Sequence, residues 1–256
     1  MTILILKILL APILVWIASM LGKAFGPTVG GLVVGLPLTS GPIALIFAFE
    51  HGRAFAKAAS LGILSGVISV VVFCLTYSYL CRRNNWLWSE LVSITVYFIT
   101  TFVMELWMPS LLYTSITVFT TLIIAIYLLH SDKIAHHAKI SSPSWDLPVR
   151  MLVATVFVLL LTSAAQILGP HLSGLLAPFP IFVSVLVIFT HIFEGGYSAR
   201  LLLYGALTGL FSFAIFFISI ALFIQSIGTL LAFTAAVVSA LVMQYILVII
   251  KRYCGI

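Results

Sequence analysis

A glycine- and proline-rich motif occurs twice in this sequence, and the two copies organise the whole chain. The first copy spans residues 26–42, and a second, diverged copy spans residues 169–180. A shift of 143 positions superposes Gly26 on Gly169, Pro27 on Pro170, Gly31 on Gly174, Leu32 on Leu175 and Pro37 on Pro180. Because glycine and proline seldom coincide by chance in an apolar sequence, this register predicts an internal structural repeat.

The same register continues on both sides of the motif. With a local shift of 144, Phe49 and Glu50 align with Phe193 and Glu194. With the shift of 143 positions, the matched pairs are Lys7 with Arg150, Gly62 with Gly205, Gly66 with Gly209, and Ser69 with Ser212. Each half of the chain is therefore expected to build a similar unit.

The composition excludes a soluble globular protein. Hydrophobic residues make up 63% of the chain and charged residues 7%, and the mean hydropathy is +1.29, whereas about a quarter of the residues of a soluble domain are charged. The 12 basic residues outnumber the 6 acidic ones, but nearly all lie between apolar stretches. That placement is typical of a membrane protein in a lipid bilayer and does not indicate a nucleic-acid partner.

Cutting the chain at its charged, Gly/Pro and Asn clusters gives nine apolar segments of the length that a spanning helix needs. The predicted spans are 3–22, 28–49, 56–80, 86–107, 110–130, 149–168, 172–193, 199–223 and 228–250. The first is interpreted as a retained span and not as a signal peptide, because its counterpart in the second copy is internal. The predicted fold is thus an all-α polytopic membrane protein.

Counting spans predicts how the two copies are oriented. Each copy has four spans, and one linking span lies between them, so equivalent helices are separated by five crossings and the second copy is inverted. The predicted units are a first repeat over 1–107, a linking helix and hydrophilic loop over 108–148, and a second repeat over 149–256. The distribution of Lys and Arg favours an N-terminus outside and a C-terminus in the cytoplasm.

The two motifs are the strongest candidates for a binding site. Pro37 and Pro42 each remove a backbone donor inside the membrane, so the second span is expected to be interrupted near Leu36 to Gly41. Paired helix interruptions hold the substrate or ion in many transporters with inverted repeats, although a kink that only helps helices to pack is the alternative. The binding candidates are Gly35, Pro37, Thr39, Ser40, Glu50, Pro178, Pro180, Ser184, His191 and Glu194.

Glu50 and Glu194 are the acidic residues that match between the copies. Each falls near the end of its predicted span, so a carboxylate at the membrane surface beside Arg53 or Arg200 is one interpretation. A gating or proton-coupling carboxylate is the other. His191 lies one helical turn before Glu194, where it could relay a proton.

Two further sets of residues have expected roles in the helices. Glu90 and Glu105, whose counterparts in the second copy are apolar, are interpreted as interface anchors beside Trp86 and Trp88. A set of small residues is spaced for close helix packing, and lining a polar path between the copies is the alternative role. These residues are Gly62, Ser65, Gly66, Ser69, Gly205, Thr208, Gly209 and Ser212.

No sequence motif indicates catalysis. Metalloprotease, serine-hydrolase and nucleotide-binding motifs do not occur in the sequence, so the protein is expected not to be an enzyme, with no cofactor and no catalytic residue. Cys74, Cys81 and Cys254 lack ligand-like partners in the sequence, and neither a disulfide framework nor a metal site is expected.

The second copy resembles a known family. Its stretch Ser173-Gly-Leu-Leu-Ala-Pro-Phe-Pro180, followed by an apolar run and the helix containing Gly205, is similar to the GlpM-type small bacterial inner-membrane proteins. Members of that family are about as long as one copy here. The resemblance implies a bacterial inner-membrane protein that arose by duplication and fusion, and it brings no substrate with it.

These observations lead to a functional hypothesis. The predicted inverted repeat, the paired interruptions and the lack of catalytic motifs favour a secondary transporter or flippase that moves a small or amphipathic substrate. A channel or pore is the first alternative. A non-catalytic accessory or assembly subunit of a membrane complex is the second, and assembly as a homo-oligomer is compatible with each.

Overall fold

The protein is helical throughout the part that its structure, a computed structural model, describes. The described residues are 12–13, 16–17, 19–21, 23–37, 40–106, 110–129, 145, 147–149, 151–153, 155–156 and 178–254. Seven helices within them have defined bounds: α1 Pro27–Val34, α2 Ser40–Glu50, α3 Gly52–Leu80, α4 Trp86–Leu106, α5 Leu111–Leu129, α6 Ile181–Phe223 and α7 Thr229–Cys254. Described residues within 12–25 and 147–156 are helical too, and none of the described residues forms a strand.

Five helices are long and apolar enough to cross a membrane. By length and composition these are α3, α4, α5, α6 and the part of α7 from Thr229 to Ile249. The chain is therefore a multi-pass helical membrane protein, as the sequence predicts. The predicted spans 3–22 and 149–168 lie largely outside the described residues, so the count of nine spans stays a prediction.

α3 and α6 form the centre of the bundle. Of the most apolar 18 residues in each of these helices, 78% are buried, compared with 28% in α4 and 22% in α5 and α7. Large side chains such as Phe73 and Phe217 fill the space between helices with no exposed surface. The outer helices present apolar side chains outward, which is the arrangement that a surrounding bilayer stabilises.

The long helix α6 is two helices joined at a glycine. Gly195 has φ 86° and ψ 170°, a backbone conformation that glycine adopts without the steric strain of a side chain. In a straight helix Val183 and Leu210 would lie about 40 Å apart, yet both line one small cavity. The chain therefore folds back at Gly195, between α6a (residues 181–194) and α6b (residues 196–223).

The first half contains the same reversal at the matching position. Gly52 has φ 86° and separates α2 from α3, and it precedes Gly195 by 143 residues. The helix from Gly52 to Leu80 matches residues 195–223 in that register, and Trp86–Leu106 matches residues 229–249. The boundaries of these helices therefore recur at the separation found in the sequence.

Contacts between α3 and α6a show the relative directions of the central helices. The Tyr77 hydroxyl lies 3.1 Å from Nδ1 of His191, and Sγ of Cys81 lies 3.3 Å from the carbonyl oxygen of Gly196. Val70 of α3 and Val183 of α6a also line one cavity, so residue numbers rise together along the two helices, and α3 and α6a run in the same direction. Because α6b turns back, α3 and α6b run in opposite directions.

α1 lies directly against α6b. The most extensive contact between described helices joins α1 and α6. A methyl group on Gly31 would collide with the carbonyl oxygen of Leu202, and one on Gly205 would collide with that of Thr28. Glycine at these positions thus allows the two backbones to touch, as in the small-residue contacts of membrane helices.

Candidate functional site

The first helix interruption and the segment before α6 border one cavity. α1 ends at Val34 and α2 begins at Ser40, so the interruption falls where Pro37 and its neighbouring glycines predict it. On the other side, Pro180 immediately precedes α6. A cavity of about 40 Å³ lies between them, and we call it the central cavity; the residues that the two segments contribute to its wall are Gly35, Leu36, Ser40, Pro178, Phe179 and Pro180.

The central cavity is small and mainly apolar. Its remaining wall comes from apolar side chains such as Val70, Val183, Leu210 and Phe213. A volume of about 40 Å³ accommodates roughly one water molecule or an ion of similar size. A larger substrate would fit only after the surrounding helices move apart.

Local turns satisfy several backbone amides at the interruptions. The amide of Leu36 donates to the carbonyl oxygen of Val33 at 3.2 Å, and that of Gly41 donates to Pro37 at 3.0 Å. The amide of Ile181 donates to Phe179 at 2.7 Å. Since amides inside a membrane need such partners, these turns allow the chain to leave helical geometry beside the cavity.

The buried face of α4 is polar. All the residues that this helix buries have polar side chains, and they recur mainly at intervals of four: Ser89, Glu90, Ser93, Tyr97 and Thr101. Its exposed residues include large apolar side chains such as Phe98 and Phe102. The helix thus turns its polar side toward α3 and α6 and its apolar side outward, the opposite of a soluble amphipathic helix.

Glu90 is the central member of a buried polar cluster. Its side chain is 6% exposed, and Oε2 has no hydrogen-bond partner among the described residues. The hydroxyl of Ser184 in α6a is a neighbour of the carboxyl, although its Oγ makes no hydrogen bond within the described residues, and Cys74 and Tyr77 in α3 interact with it electrostatically. We call Cys74, Tyr77, Glu90, Ser184 and His191 the Glu90 cluster.

The Glu90 cluster extends from the central cavity toward the turn between α3 and α4. At one end, Ser184 follows Val183, which lines the cavity. At the other end, Tyr77 and His191 share their 3.1 Å hydrogen bond, and their rings meet edge to face at 5.9 Å. The cluster therefore links the cavity to the end of the bundle where Cys81 meets Gly196.

The predicted binding candidates fall into three groups. Around the cavity the structure brings together Gly35, Ser40, Pro178 and Pro180, and Pro37 lies in the first interruption without lining the cavity. Ser184 and His191 belong to the Glu90 cluster. Glu194 is partly buried at the end of α6a, whereas Thr39 and the side chain of Glu50 lie outside the described part of the chain.

The small residues predicted to pack helices are all buried, four of them in α3 and four in α6b: Gly62, Ser65, Gly66, Ser69, Gly205, Thr208, Gly209 and Ser212. Gly205 and Gly209 contact the backbone of α1. Ser212 donates a hydrogen bond of 2.7 Å to Oε1 of Gln244 in α7.

Glu90 is the functional candidate that the sequence interpretation misses. The expectation that it anchors α4 at the membrane surface is wrong, because the side chain is enclosed between α3 and α6a. Trp86 and Trp88, in contrast, are exposed. The signal for burial was present in the four-residue spacing of Ser89, Ser93, Tyr97 and Thr101, which places one polar face along the helix.

Chemically, the site offers a carboxyl, hydroxyls, a thiol and an imidazole next to a cavity of water size. Within the described residues, no group of three or more His, Cys, Asp or Glu side chains is arranged to hold a metal ion.

Comparison with known proteins adds no relative: no family model, no curated protein and no solved structure matches the chain.

Proposed function

We propose that this protein is a secondary transporter or flippase for a small or amphipathic substrate. The observation that carries the proposal is the meeting of the interruption between α1 and α2 with the segment from Pro178 to Pro180 before α6, one from each half of the chain, around one cavity. Interrupted helices that meet inside a membrane provide backbone groups and helix ends for binding a substrate or a coupling ion.

The directions of the helices support an inverted repeat. α3 and α6b occupy matching positions in the two halves and run in opposite directions, and the matching glycines Gly52 and Gly195 both reverse the chain. Two inverted units around one site can exchange their roles, so that the site opens first to one side of the membrane and then to the other.

The volume of the central cavity limits what it can hold. A space of about 40 Å³ between Pro180 and Leu36 is too small for an amphipathic molecule. Transport of an amphipathic molecule would require the α1–α2 segment to move relative to α6a. The reversals at Gly52 and Gly195 are the places where such movement needs little disruption of helices.

The proposal includes location and orientation. The GlpM-like second half and the distribution of basic residues favour a bacterial inner membrane, with the N-terminus outside and the C-terminus in the cytoplasm. The exposed apolar faces of α4, α5 and α7 provide surface for lipid and, in a homo-oligomer, for a second copy.

The test is the accessibility of the central cavity from each side of the membrane. Leu36→Cys and Phe182→Cys, one from each half, are made in a chain without other cysteines and placed in sealed vesicles of both orientations. A membrane-impermeant thiol reagent then measures labelling, and a potassium electrode measures cation leakage. Phe102→Cys, at a position 67% exposed on the outer face of α4, is the control for reaction from the lipid phase.

The three candidate functions give different results. A transporter is labelled at both positions from either side, and its vesicles hold their potassium gradient. Labelling from both sides with rapid leakage would indicate a channel. If neither cysteine reacts from either side, the cavity has no access to solution, and the accessory-subunit alternative takes the place of the transporter.

A further inference from the structure

Glu90 has an environment that an anionic carboxylate tolerates poorly. It lies four residues into a helix long enough to cross the membrane, and its Oε2 atom has no hydrogen-bond partner in the described part of the chain. A charged side chain within a membrane costs several kcal/mol unless it is paired, and such residues commonly bind ions or protons. The position therefore calls for a ligand that removes the charge.

The groups around Glu90 identify that ligand. α3 and α6 are the described helices that pack against α4. From α3, Cys74 and Tyr77 interact with the carboxyl electrostatically; from α6, Ser184 is its neighbour, and His191 is hydrogen-bonded to Tyr77. The buried guanidinium of Arg200 is directed to the carbonyl oxygens of Leu128 and Leu129 at 3.4 and 3.3 Å.

These surroundings suit a proton better than a metal cation. Hard cations such as Mg²⁺ and Ca²⁺ require about six or more oxygen ligands, and Glu90 is joined here by the hydroxyls of Ser184 and Tyr77. A proton needs one oxygen only. We propose that Glu90 is the proton-binding carboxylate of this protein, and that protons reach it through His191 and Tyr77 from the membrane face at the α3–α4 turn.

The proposal rests on the proposed transport function, for which it names the coupling ion. In the loading step, one proton from solution forms an O–H bond at the Glu90 carboxylate. In the release step that bond breaks, and the carboxylate is restored. His191 and Tyr77 pass the proton on and return to their initial protonation states, so no other bond changes.

The matching positions in the described part of the second half have apolar chemistry. The positions that correspond to Cys74, Tyr77 and Glu90 are occupied by apolar side chains, all of them buried: Phe217, Ile220 and Phe233. Protons are therefore loaded from one membrane face, by way of His191 in α6a and Tyr77 and Glu90 in the first half.

A hydrophobic carbodiimide tests the protonation of Glu90 directly, because it reacts with protonated carboxyls in apolar surroundings. The full-length protein in phospholipid vesicles is treated at several pH values, and peptides are analysed by mass spectrometry. We expect modification of Glu90 at acidic pH, its decline as the pH rises, and its complete loss in Glu90→Gln. Glu105→Gln, which changes a carboxyl at the other end of the same helix, is expected to leave the modification of Glu90 intact.

The result that overturns the proposal is a lack of modification at Glu90 at every pH, or modification that does not change with pH. Acidifying one side of sealed vesicles tests the route: modification should follow the pH on the side of the α3–α4 turn, and Tyr77→Phe should slow that response without lowering its final extent. A response from the opposite side only would refute the assigned direction.

This experiment separates the two proposals. If Glu90 takes up a proton but the central cavity is inaccessible to thiol reagents, the proton site stands and the transport function falls. If the cavity is accessible from both sides and Glu90 is never modified, transport stands without Glu90 as its proton site.

Discussion

α4 and α7 correspond to each other in the sequence register of the two halves. Both helices bury the matching residues, but these residues are polar in α4 and apolar in α7. At the register of 143, Ser89, Glu90, Ser93 and Tyr97 correspond to Ala232, Phe233, Ala236 and Ala240, and all eight side chains are buried. The place of a helix in the bundle therefore determines which face is enclosed. Whether that face is polar is a separate property: at these four positions α4 is polar and α7 is apolar.

Hydroxyl groups show the same difference. In the second half Ser212 is bonded to Gln244, and Ser219 lies 2.9 Å from the hydroxyl of Ser239. In the first half the buried hydroxyls of Ser69 and Ser78 have no partner among the described residues. These two pairs in the second half are typical of a structural role, whereas Ser69 and Ser78 remain available to a ligand, as does Ser184 in α6a.

The largest effect is expected from transferring the carboxylate to the second half. Phe233→Glu would place a charge where Phe216 packs edge to face against Phe233 at 6.1 Å, and we expect a loss of about 3 kcal/mol in the free energy of unfolding. Thermal unfolding in detergent micelles measures it. Phe233→Leu, which keeps the site apolar, should cost clearly less. Equal stability of Phe233→Glu and the wild type would show that the second half also accepts polar groups.

The glycine contacts test whether the two halves pack alike. Gly205→Ala would bring a methyl group against the backbone of α1, and we expect it to lower the free energy of unfolding by about 2 kcal/mol. If the second motif packs on α3 as the first packs on α6b, Gly62→Ala should have a similar effect. If Gly62→Ala leaves the free energy of unfolding unchanged while Gly205→Ala lowers it, the two halves share their helix boundaries but not their helix packing.

Two matched basic residues provide a smaller contrast. Arg200 donates to two carbonyl oxygens of α5, whereas its counterpart Lys57 donates to Gln225 at 3.2 Å on the surface. We expect Arg200→Met to cost about 1.5 kcal/mol of unfolding free energy and Lys57→Met less than about 0.5 kcal/mol. The same thermal measurement compares them, and equal effects would contradict the asymmetry.

The smallest expected effect comes from single hydroxyl groups. Ser212→Ala removes the hydrogen bond to Gln244 and should lower the free energy of unfolding by about 0.6 kcal/mol, the usual size for such bonds between membrane helices. Ser69→Ala, at the matching position, removes a hydroxyl that lacks a protein partner and should be neutral or slightly stabilising. A clear loss of stability in Ser69→Ala would show that its hydroxyl is already bonded in the folded protein.

Much of the helical framework could be predicted because apolar length and Gly/Pro content act locally. The predicted spans 56–80 and 86–107 differ little from Gly52–Leu80 and Trp86–Leu106, and the interruption near Pro37 follows from the missing amide. The inward face of each helix could not be read in the same way. It depends on neighbours distant in sequence, so the sequence pattern places Glu90 at the surface although α3 and α6a enclose it.

The contact of α1 with α6b also bears on how the protein is made. Gly31 and Gly205 are 174 residues apart in the sequence, and a ribosome adding about 5–20 residues per second needs roughly 10–35 s to synthesise the intervening chain. During that interval α1 is already in or near the membrane without its principal neighbour, and the interrupted segment that follows it has backbone groups to protect. Its packing against α6b is therefore completed only after translation of the second half, and a truncated first half would leave this contact surface of α1 uncovered.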